Sequence, residues 1–260
     1  MKTNQDYMIN YIFGVKPIGR VKTLSIDTME VRWYHDNIVL TFMVFFYFFG
    51  GYMIKKLIFD LDNTLIMWKD EYIDALRDTL KKYNNNENPN HINDLIDSYE
   101  DYYDRYDKEK MLEHINNNIK EKLNMDFMND FLYNIGYMSE ENKNVIHTLR
   151  YLSKKYELVV LTNWFRKPQI NRLKAAKIDR YFSEIYGGED FIKPNKEAFV
   201  KAAGNTKFEE CIMIGDNYNI DIMGAYNAGL NVIYFNPKLK DNNKLKFDEI
   251  SDFRELMDIL

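Results

Sequence analysis

The sequence has little cysteine or histidine and no block of clustered basic residues, and these absences exclude several classes of site. Among 260 residues there is one cysteine, Cys211, so an intramolecular disulfide is excluded and the chain fits a reducing compartment. The four histidines are scattered without the spacing of a metal site. A net charge of −5 without a basic block argues against a nucleic acid polymer as the main partner, although a small anionic substrate fits a site that is locally positive.

Apolar residues make up 46% of the chain, which can supply a hydrophobic core. The most informative stretch is 54–65, where an apolar run that suits a buried strand ends in two carboxylates, Asp60 and Asp62. Because side chains alternate along a strand, both carboxylates should point to the same side, just beyond its carboxyl end. One could attack an electrophile while the other moves a proton, with a hard cation between them. The alternative is a polar turn that closes the strand.

Residues 1–52 differ from the rest of the chain, because they are weakly patterned until a very apolar run at 38–49. Counted through residue 54, this run approaches the lower limit for a membrane span. It then passes almost directly into the strand that ends at Asp60, and a central strand does not start easily at a bilayer surface. We therefore interpret residues 1–52 as an extension outside the fold, and we expect a cytoplasmic protein. The alternatives are a membrane anchor through residues 38–54, with the remainder in the cytoplasm, and an extra packed element.

The segment from 68 to 141 is rich in charges and shows helical periodicity without a clear strand. The periodicity predicts four helices: Lys69–Tyr83, Ile92–Tyr106, Lys108–Leu123 and Asp126–Tyr133. We interpret the segment as a helical insertion between two parts of a core, residues 53–67 and 142–260. Tyrosines recur at helical spacing within 99–106, which is typical of the packed face of a helix. Stacking on a substrate ring is the alternative.

From residue 142 onward, helices and strands alternate, which predicts a Rossmann-like, doubly wound parallel sheet with helices on both faces. Polar residues follow the predicted strand ends: Asp60 and Asp62, Thr162, Lys193, and Asp216 with Asp221. Because the carboxyl ends of parallel strands share one edge of a sheet, we expect these side chains to converge. A nucleophile, a proton donor, fixed hydrogen-bond donors and a cation are the parts that phosphoryl transfer requires.

These motifs together resemble those of the haloacid dehalogenase superfamily of phosphohydrolases, in the subfamily with a helical cap inserted after the first motif. The resemblance covers roughly residues 53–235 and depends on DLDNT at 60–64, TN at 162–163, KP at 193–194, and GD at 215–216 through Asp221. Within the superfamily, the chain most resembles pyrimidine 5′-nucleotidase-like and phosphatase members in the residues at 162–163, 169–173, 181–182, 193–196 and 227–230. The resemblance implies an α/β core of residues 53–67 and 142–260 and a cap of residues 68–141.

The resemblance also implies roles for individual side chains. Asp60 would be the nucleophile that forms an aspartyl-phosphate, and Asp62 would protonate the leaving oxygen and then activate water. Thr162 would hold the phosphate together with Asn163, while Lys193 would neutralise charge on the nucleophile and the transferring group.

A magnesium site is part of the same resemblance. Asp60, Asp216 and the backbone carbonyl of Asp62 would hold Mg²⁺, with Asp221 in support. Mg²⁺ prefers a few carboxylates plus waters and phosphate oxygens, which agrees with this set. Dehalogenases of the superfamily lack an acid at the position of Asp62, so its presence favours phosphate esters over carbon–halogen bonds.

Two tryptophans depart from the pattern of the nucleotidase-like members. Trp68 follows the first motif, and Trp164 follows Thr162-Asn163, where a small residue is commoner. Either ring could narrow the pocket or stack on a base, and ordinary packing is the alternative.

The sequence therefore predicts a Mg²⁺-dependent phosphomonoesterase that hydrolyses a small phosphorylated metabolite, such as a nucleoside monophosphate, through an aspartyl-phosphate. A phosphosugar mutase, which would return the phosphate to a sugar, is one alternative. A protein that keeps this fold without turnover, with or without a membrane tether, is another.

Overall fold

Six parallel strands form one sheet, in which the first strand of the chain is central and the later strands lie on either side of it. The computed structural model describes residues 53–67, 71–137, 139, 141–239 and 247–260. The strands are β1 (Lys56–Phe59), β2 (Glu157–Leu161), β3 (Glu184–Tyr186), β4 (Cys211–Gly215), β5 (Asn231–Phe235) and β6 (Asp248–Ile250). Their order is β3-β2-β1-β4-β5-β6, and each neighbouring pair is parallel. The prediction of a Rossmann-like parallel sheet is confirmed.

Four helices follow β1 within residues 71–135, and we call these residues the helical insert. The helices are α1 (Glu71–Lys82), α2 (Pro89–Asp97), α3 (Lys108–Asn117) and α4 (Met125–Ile135). The last three begin at side chains that accept hydrogen bonds from backbone N–H groups of the first turn: Asn88, Asp107 and Asn124. The helices bury a shared apolar cluster that also contains Trp164 from the sheet region. The predicted limits of the insertion, residues 68 and 141, stay a prediction.

The remaining helices cover both faces of the sheet. They are α5 (Lys143–Leu152), α6 (Arg166–Ala175), α7 (Lys196–Ala203), α8 (Gly224–Ala228) and α9 (Leu256–Ile259). Successive residues of β1 point to opposite faces. Ile58 is buried in a cluster with Phe199 of α7, whereas the ring of Phe59 lies 5.9 Å from that of Phe253, which precedes α9. The sheet is therefore doubly wound, as predicted.

Three sequence-based assignments of secondary structure differ from the structure. The predicted helix 108–123 is too long, because α3 ends at Asn117 and the side chain of Asn118 donates to the carbonyl of His114. The predicted helix 92–106 is wrong in its second half, because α2 ends at Asp97 and only a single 3₁₀ turn, Ser98–Asp101, follows it. This stretch is rich in Asp and contains Ser98, and the side chains of both residue types compete with the backbone for hydrogen bonds. The hydroxyl of Ser98 donates to the carbonyl of Leu95. The strand β6 was not predicted, because it is short and two of its three residues are exposed and acidic.

Several predictions concern residues outside the described ranges. They include the extension 1–52, with the apolar run that was considered as a membrane anchor, and the side chain of Trp68. Within the ranges that the structure describes, no helix has the length and apolar character needed to cross a membrane.

Candidate active site

The carboxyl ends of the central strands place the first of the predicted residues next to one another. Asp60 directly follows β1, and its backbone N–H donates to the carbonyl of Ile214 in β4 at 2.9 Å. Thr162 directly follows β2, and its N–H donates to the carbonyl of Tyr186 in β3 at 3.1 Å. These hydrogen bonds continue the pattern of the sheet one residue beyond β1 and β2. They therefore hold the backbones of Asp60 and Thr162 at the same edge of the sheet.

Lys193 reaches this edge from the loop before α7 and joins two carboxylates. Its Nζ lies 2.7 Å from Asp60 Oδ1 and 2.7 Å from Asp221 Oδ1, and all three side chains are almost fully buried. Burial alone would lower the pKa of the Lys193 ammonium, but the attraction of Asp221 and Asp60 outweighs it and raises that pKa. The lysine therefore stays charged and screens the two carboxylates from each other.

Asp216 completes an acidic cluster with Asp60 and Asp221. One oxygen from each of the three carboxylates lies within 4.8 Å of the others. Burial raises the pKa of Asp60 well above its ordinary value; Lys193 opposes this rise, and the charge of Asp221 adds to it. Burial and the charge of Asp221 likewise raise the pKa of Asp216, to about 6. Three carboxylates with one shared ammonium carry excess negative charge on hard oxygen ligands, a donor set that fits Mg²⁺.

The turn after β4 explains how Asp221 comes to be buried. The chain makes a π-helical turn at Tyr218–Met223, and the side chain of Asn217 accepts hydrogen bonds from the N–H groups of Asn219 and Ile220 at its start. Asp221 Oδ2 accepts from the N–H of Asn217 at 3.0 Å. A Cβ on Gly215 would collide with the Asp221 carboxylate, so the position requires glycine. π-Helical turns of this kind occur frequently at functional sites.

Asp62 is held apart from this cluster by partners that sequence reasoning missed. Its Oδ1 pairs with Nη1 of Arg172, and its Oδ2 accepts from Nε2 of Gln169 at 2.9 Å. The same Gln169 nitrogen lies 3.1 Å from the hydroxyl oxygen of Thr162. Gln169 and Arg172 are three residues apart on α6, and both are fully buried. Their polar character on the buried face of a helix is the signal by which the sequence could have revealed them.

Asn163 positions the loop that carries Lys193. Its side chain donates to the carbonyl of Lys193 at 2.8 Å and accepts from the N–H of Lys193 at 2.7 Å. It also lies 3.2 Å from Glu100 of the helical insert, another residue that the sequence did not indicate. Glu100 accepts a hydrogen bond from the hydroxyl of Tyr106 at 2.6 Å, and burial raises its pKa. The insert therefore reaches a residue that holds the site together.

Trp164 lies in the aromatic cluster between the insert and the sheet. Its ring stacks on Tyr72 of α1 with centroids 5.0 Å apart and meets Tyr106 edge-on at 5.1 Å. The side chain is 3% exposed. These contacts are packing contacts, and a role for Trp164 in substrate binding stays a prediction.

Comparison with known proteins gives a consistent result at the level of a family. Residues 57–235 match a family described as haloacid dehalogenase-like hydrolase. The pyrophosphatase PpaX of Bacillus cereus is 29% identical over 182 residues, which span 68% of this chain and 80% of that protein. The glyceraldehyde 3-phosphate phosphatase of Methanothermobacter thermautotrophicus is 33% identical over 119 residues, which span 42% of this chain and 53% of that protein.

Among solved structures, YfnB from Bacillus subtilis, crystallised with magnesium bound, superposes with a TM-score of 0.62. The match covers 80% of this chain and 99% of that chain, at 21% sequence identity. At this level of identity the likeness establishes the fold.

Proposed function

The chain belongs to the haloacid dehalogenase-like hydrolase family, and we propose that it is a Mg²⁺-dependent phosphomonoesterase acting on a small phosphorylated metabolite. The observation that carries the proposal is the different environment of two carboxylates one residue apart. Asp60 is buried against the ammonium of Lys193, whereas Asp62 is partly exposed and held by the side chains of α6. The ammonium of Lys193 suits Asp60 to attack as an ionised nucleophile, and partial exposure suits Asp62 to exchange a proton with a leaving oxygen or with water.

In the proposed reaction, a carboxylate oxygen of Asp60 attacks phosphorus while the bond to the leaving oxygen breaks. Asp62 gives its proton to that oxygen, and an aspartyl-phosphate remains on Asp60. Water then attacks the phosphorus and gives a proton to Asp62, and the bond to Asp60 breaks. Lys193, 2.7 Å from Asp60, stabilises charge on the nucleophile, and the hydroxyl of Thr162 holds a phosphate oxygen.

The charge of the site supports the proposed cofactor. Four carboxylates, those of Asp60, Asp62, Asp216 and Asp221, face two cations, Lys193 and Arg172. A phosphate ester carries negative charge, so this excess would repel the substrate. Asp60, Asp216 and the backbone carbonyl of Asp62 would hold Mg²⁺, which supplies the positive charge that the phosphate needs.

The relatives support a phosphorylated substrate of small size. One is named for pyrophosphate and another for glyceraldehyde 3-phosphate, and both substrates are small. The acid at Asp62 also favours phosphate esters, because breaking a P–O bond to a poor leaving group benefits from proton donation. Nucleoside monophosphates are one class within this range, in keeping with the resemblance to pyrimidine 5′-nucleotidase-like members.

The proposal is tested by phosphate release from a panel of phosphorylated metabolites with Mg²⁺ present. The panel includes nucleoside monophosphates, sugar phosphates, triose phosphates and pyrophosphate. We expect turnover of at least one of them by the wild-type protein and none by Asp60→Asn, whose amide cannot act as the nucleophile. Asp258→Asn, which changes an exposed aspartate on α9, is the matched control and should retain full activity. Phosphate release by Asp60→Asn at the wild-type rate would refute the mechanism.

A further inference from the structure

The side chains of Gln169 and Arg172 surround the carboxylate of Asp62, and we propose that they position it for proton transfer and link its position to the helical insert. We call these two residues the α6 clamp. The inference rests on the proposed function, since it concerns the acid–base step of that reaction. Neither residue is expected to touch the substrate, so both are positioning residues.

Arg172 is an unusual residue to find in the interior. Its side chain is fully buried, whereas Asp62, to which it is paired, is 25% exposed. A buried guanidinium is costly unless its charge and its N–H groups are satisfied. Nη1 contacts Asp62 Oδ1 and lies 3.0 Å from Gln169 Oε1, and Nε lies 3.2 Å from the hydroxyl of Ser139. These bonds in different directions fix the plane of the guanidinium, and with it the carboxylate that it binds.

Gln169 fixes the second oxygen of Asp62. Its Oε1 accepts from Arg172, so the NH₂ group of the same amide must face the other way. There Nε2 lies 2.9 Å from Asp62 Oδ2 and 3.1 Å from Thr162 Oγ1. Both oxygens of Asp62 are therefore engaged, which restricts rotation of the carboxylate. Through Gln169, the acid–base residue is also connected to the hydroxyl proposed to hold the phosphate.

The clamp also contacts the segments by which the chain leaves and re-enters the sheet region. The guanidinium carbon of Arg172 lies 5.6 Å from the ring centroid of Tyr72 in α1, a cation–π arrangement. Ser139 lies on the return path after α4. A shift of the insert would therefore move partners of Arg172, and Arg172 would transmit that shift to Asp62.

If the clamp positions Asp62, the effect of losing it on kcat should depend on the leaving group of the substrate. If the clamp only stabilises the fold, the effect should be the same for every leaving group. Proton donation by Asp62 matters greatly when the leaving oxygen is a poor leaving group, as in an alkyl phosphate. It matters little for 4-nitrophenyl phosphate, whose leaving oxygen has a low pKa. Loss of the clamp should therefore reduce the hydrolysis of alkyl phosphates selectively.

The test measures kcat and KM with glycerol phosphate and 4-nitrophenyl phosphate for the wild type, Arg172→Met and Gln169→Leu. For Arg172→Met we expect kcat to fall about 100-fold or more with glycerol phosphate and less than about 10-fold with 4-nitrophenyl phosphate, with KM little changed. Gln169→Leu should show the same selectivity with a smaller loss. Arg172→Lys, which keeps a positive charge, should recover part of the kcat for glycerol phosphate.

The control is Lys174→Met, which removes an exposed cation from the same helix and should leave both rates unchanged. If circular dichroism shows that Arg172→Met does not fold, the selectivity of Gln169→Leu between the two substrates tests the inference. Equal losses on both substrates, or a loss confined to KM, would overturn the inference while leaving the proposed function intact. A wild-type protein inactive on every phosphate ester would instead overturn the proposed function, and the inference with it.

Discussion

Lys193 serves two carboxylates at once, and this sharing allows so much acid to be buried at one edge of the sheet. Breaking a buried ion pair by removing one partner generally costs about 3–5 kcal/mol, because the remaining charge is left uncompensated. Here a single ammonium lies 2.7 Å from both Asp60 and Asp221. Asp216 has no such close cation among the described residues, which agrees with the rise of its pKa to about 6. Proton uptake and cation binding should therefore compete at this residue.

We predict that Mg²⁺ stabilises the protein more at about pH 7.5 than at about pH 5. Burial and the charge of Asp221 raise the pKa of Asp216 from an ordinary 3.8 to about 6. A raised carboxyl pKa gives stability that is complete below the pKa of the unfolded state and is lost as the pH rises through the folded value. The metal-free protein should therefore lose this stability between about pH 4 and about pH 6, and above that range a bound cation compensates for the ionised carboxylate. Thermal unfolding with EDTA or with Mg²⁺ at both pH values measures the effect.

Asp216→Asn is the control for this pH dependence. It removes the titrating group together with a proposed Mg²⁺ ligand, so the Mg²⁺-induced rise of Tm should be small at both pH values. In EDTA, the Tm of this variant should change less between the two pH values than that of the wild type. A rise of Tm that is equal at both pH values in the wild type would contradict the prediction.

At the level of elements, the π-helical turn after β4 is held by the side chain of Asn217. We predict that Asn217→Ala lowers the free energy of unfolding by about 1 kcal/mol, the usual effect of losing such a cap. Because the turn places Asp221 against Lys193, the same change should also weaken Mg²⁺ binding. Chemical denaturation and Mg²⁺ titration of activity measure the two effects.

Asn124→Ala provides a matched control in the helical insert. Asn124 caps α4 by accepting from the N–H of Phe127 at 2.9 Å, so its loss should cost a similar free energy of unfolding. It has no contact with the acidic cluster among the described residues, and the Mg²⁺ dependence should stay that of the wild type. Equal Mg²⁺ dependence in both variants would show that the cap at Asn217 does not support the site.

The strands were easier to predict than the side chains that surround the site. β1 ends at Phe59, directly before Asp60, where the sequence predicts the end of a buried strand, because an apolar run that stops at polar residues specifies such a strand locally. The partners of Asp62 could not be read in this way. Gln169 and Arg172 lie 107 and 110 positions further along the chain, and only the three-dimensional fold brings them to Asp62. The tyrosines at 99–106 led to an error of another kind. Their helical spacing predicted a helix in a stretch where Ser98 and the aspartates favour turns.

At the level of the whole molecule, the helical insert and the sheet region share one aromatic cluster next to the site. Trp164 is packed between Tyr72 and Tyr106, which belong to the insert. Two backbone hydrogen bonds also cross between the two parts, from Tyr106 to the carbonyl of Gly188 at 2.7 Å and from Ile192 to that of Asp104 at 3.3 Å. The attachment of the insert should therefore depend on this cluster.

We predict that Trp164→Ala loosens the insert more than the sheet. Truncating a buried tryptophan generally costs about 3–5 kcal/mol of unfolding free energy, and here the cavity would lie between the two parts. Hydrogen exchange should accelerate most in α1 and around Tyr106, while β1 and β2 stay protected. Trp164→Phe keeps a ring in the cluster and should show a smaller change in the same segments. Uniform acceleration throughout the strands and the insert would mean that the two parts open as one cooperative unit, and that the cluster is not a separate point of attachment.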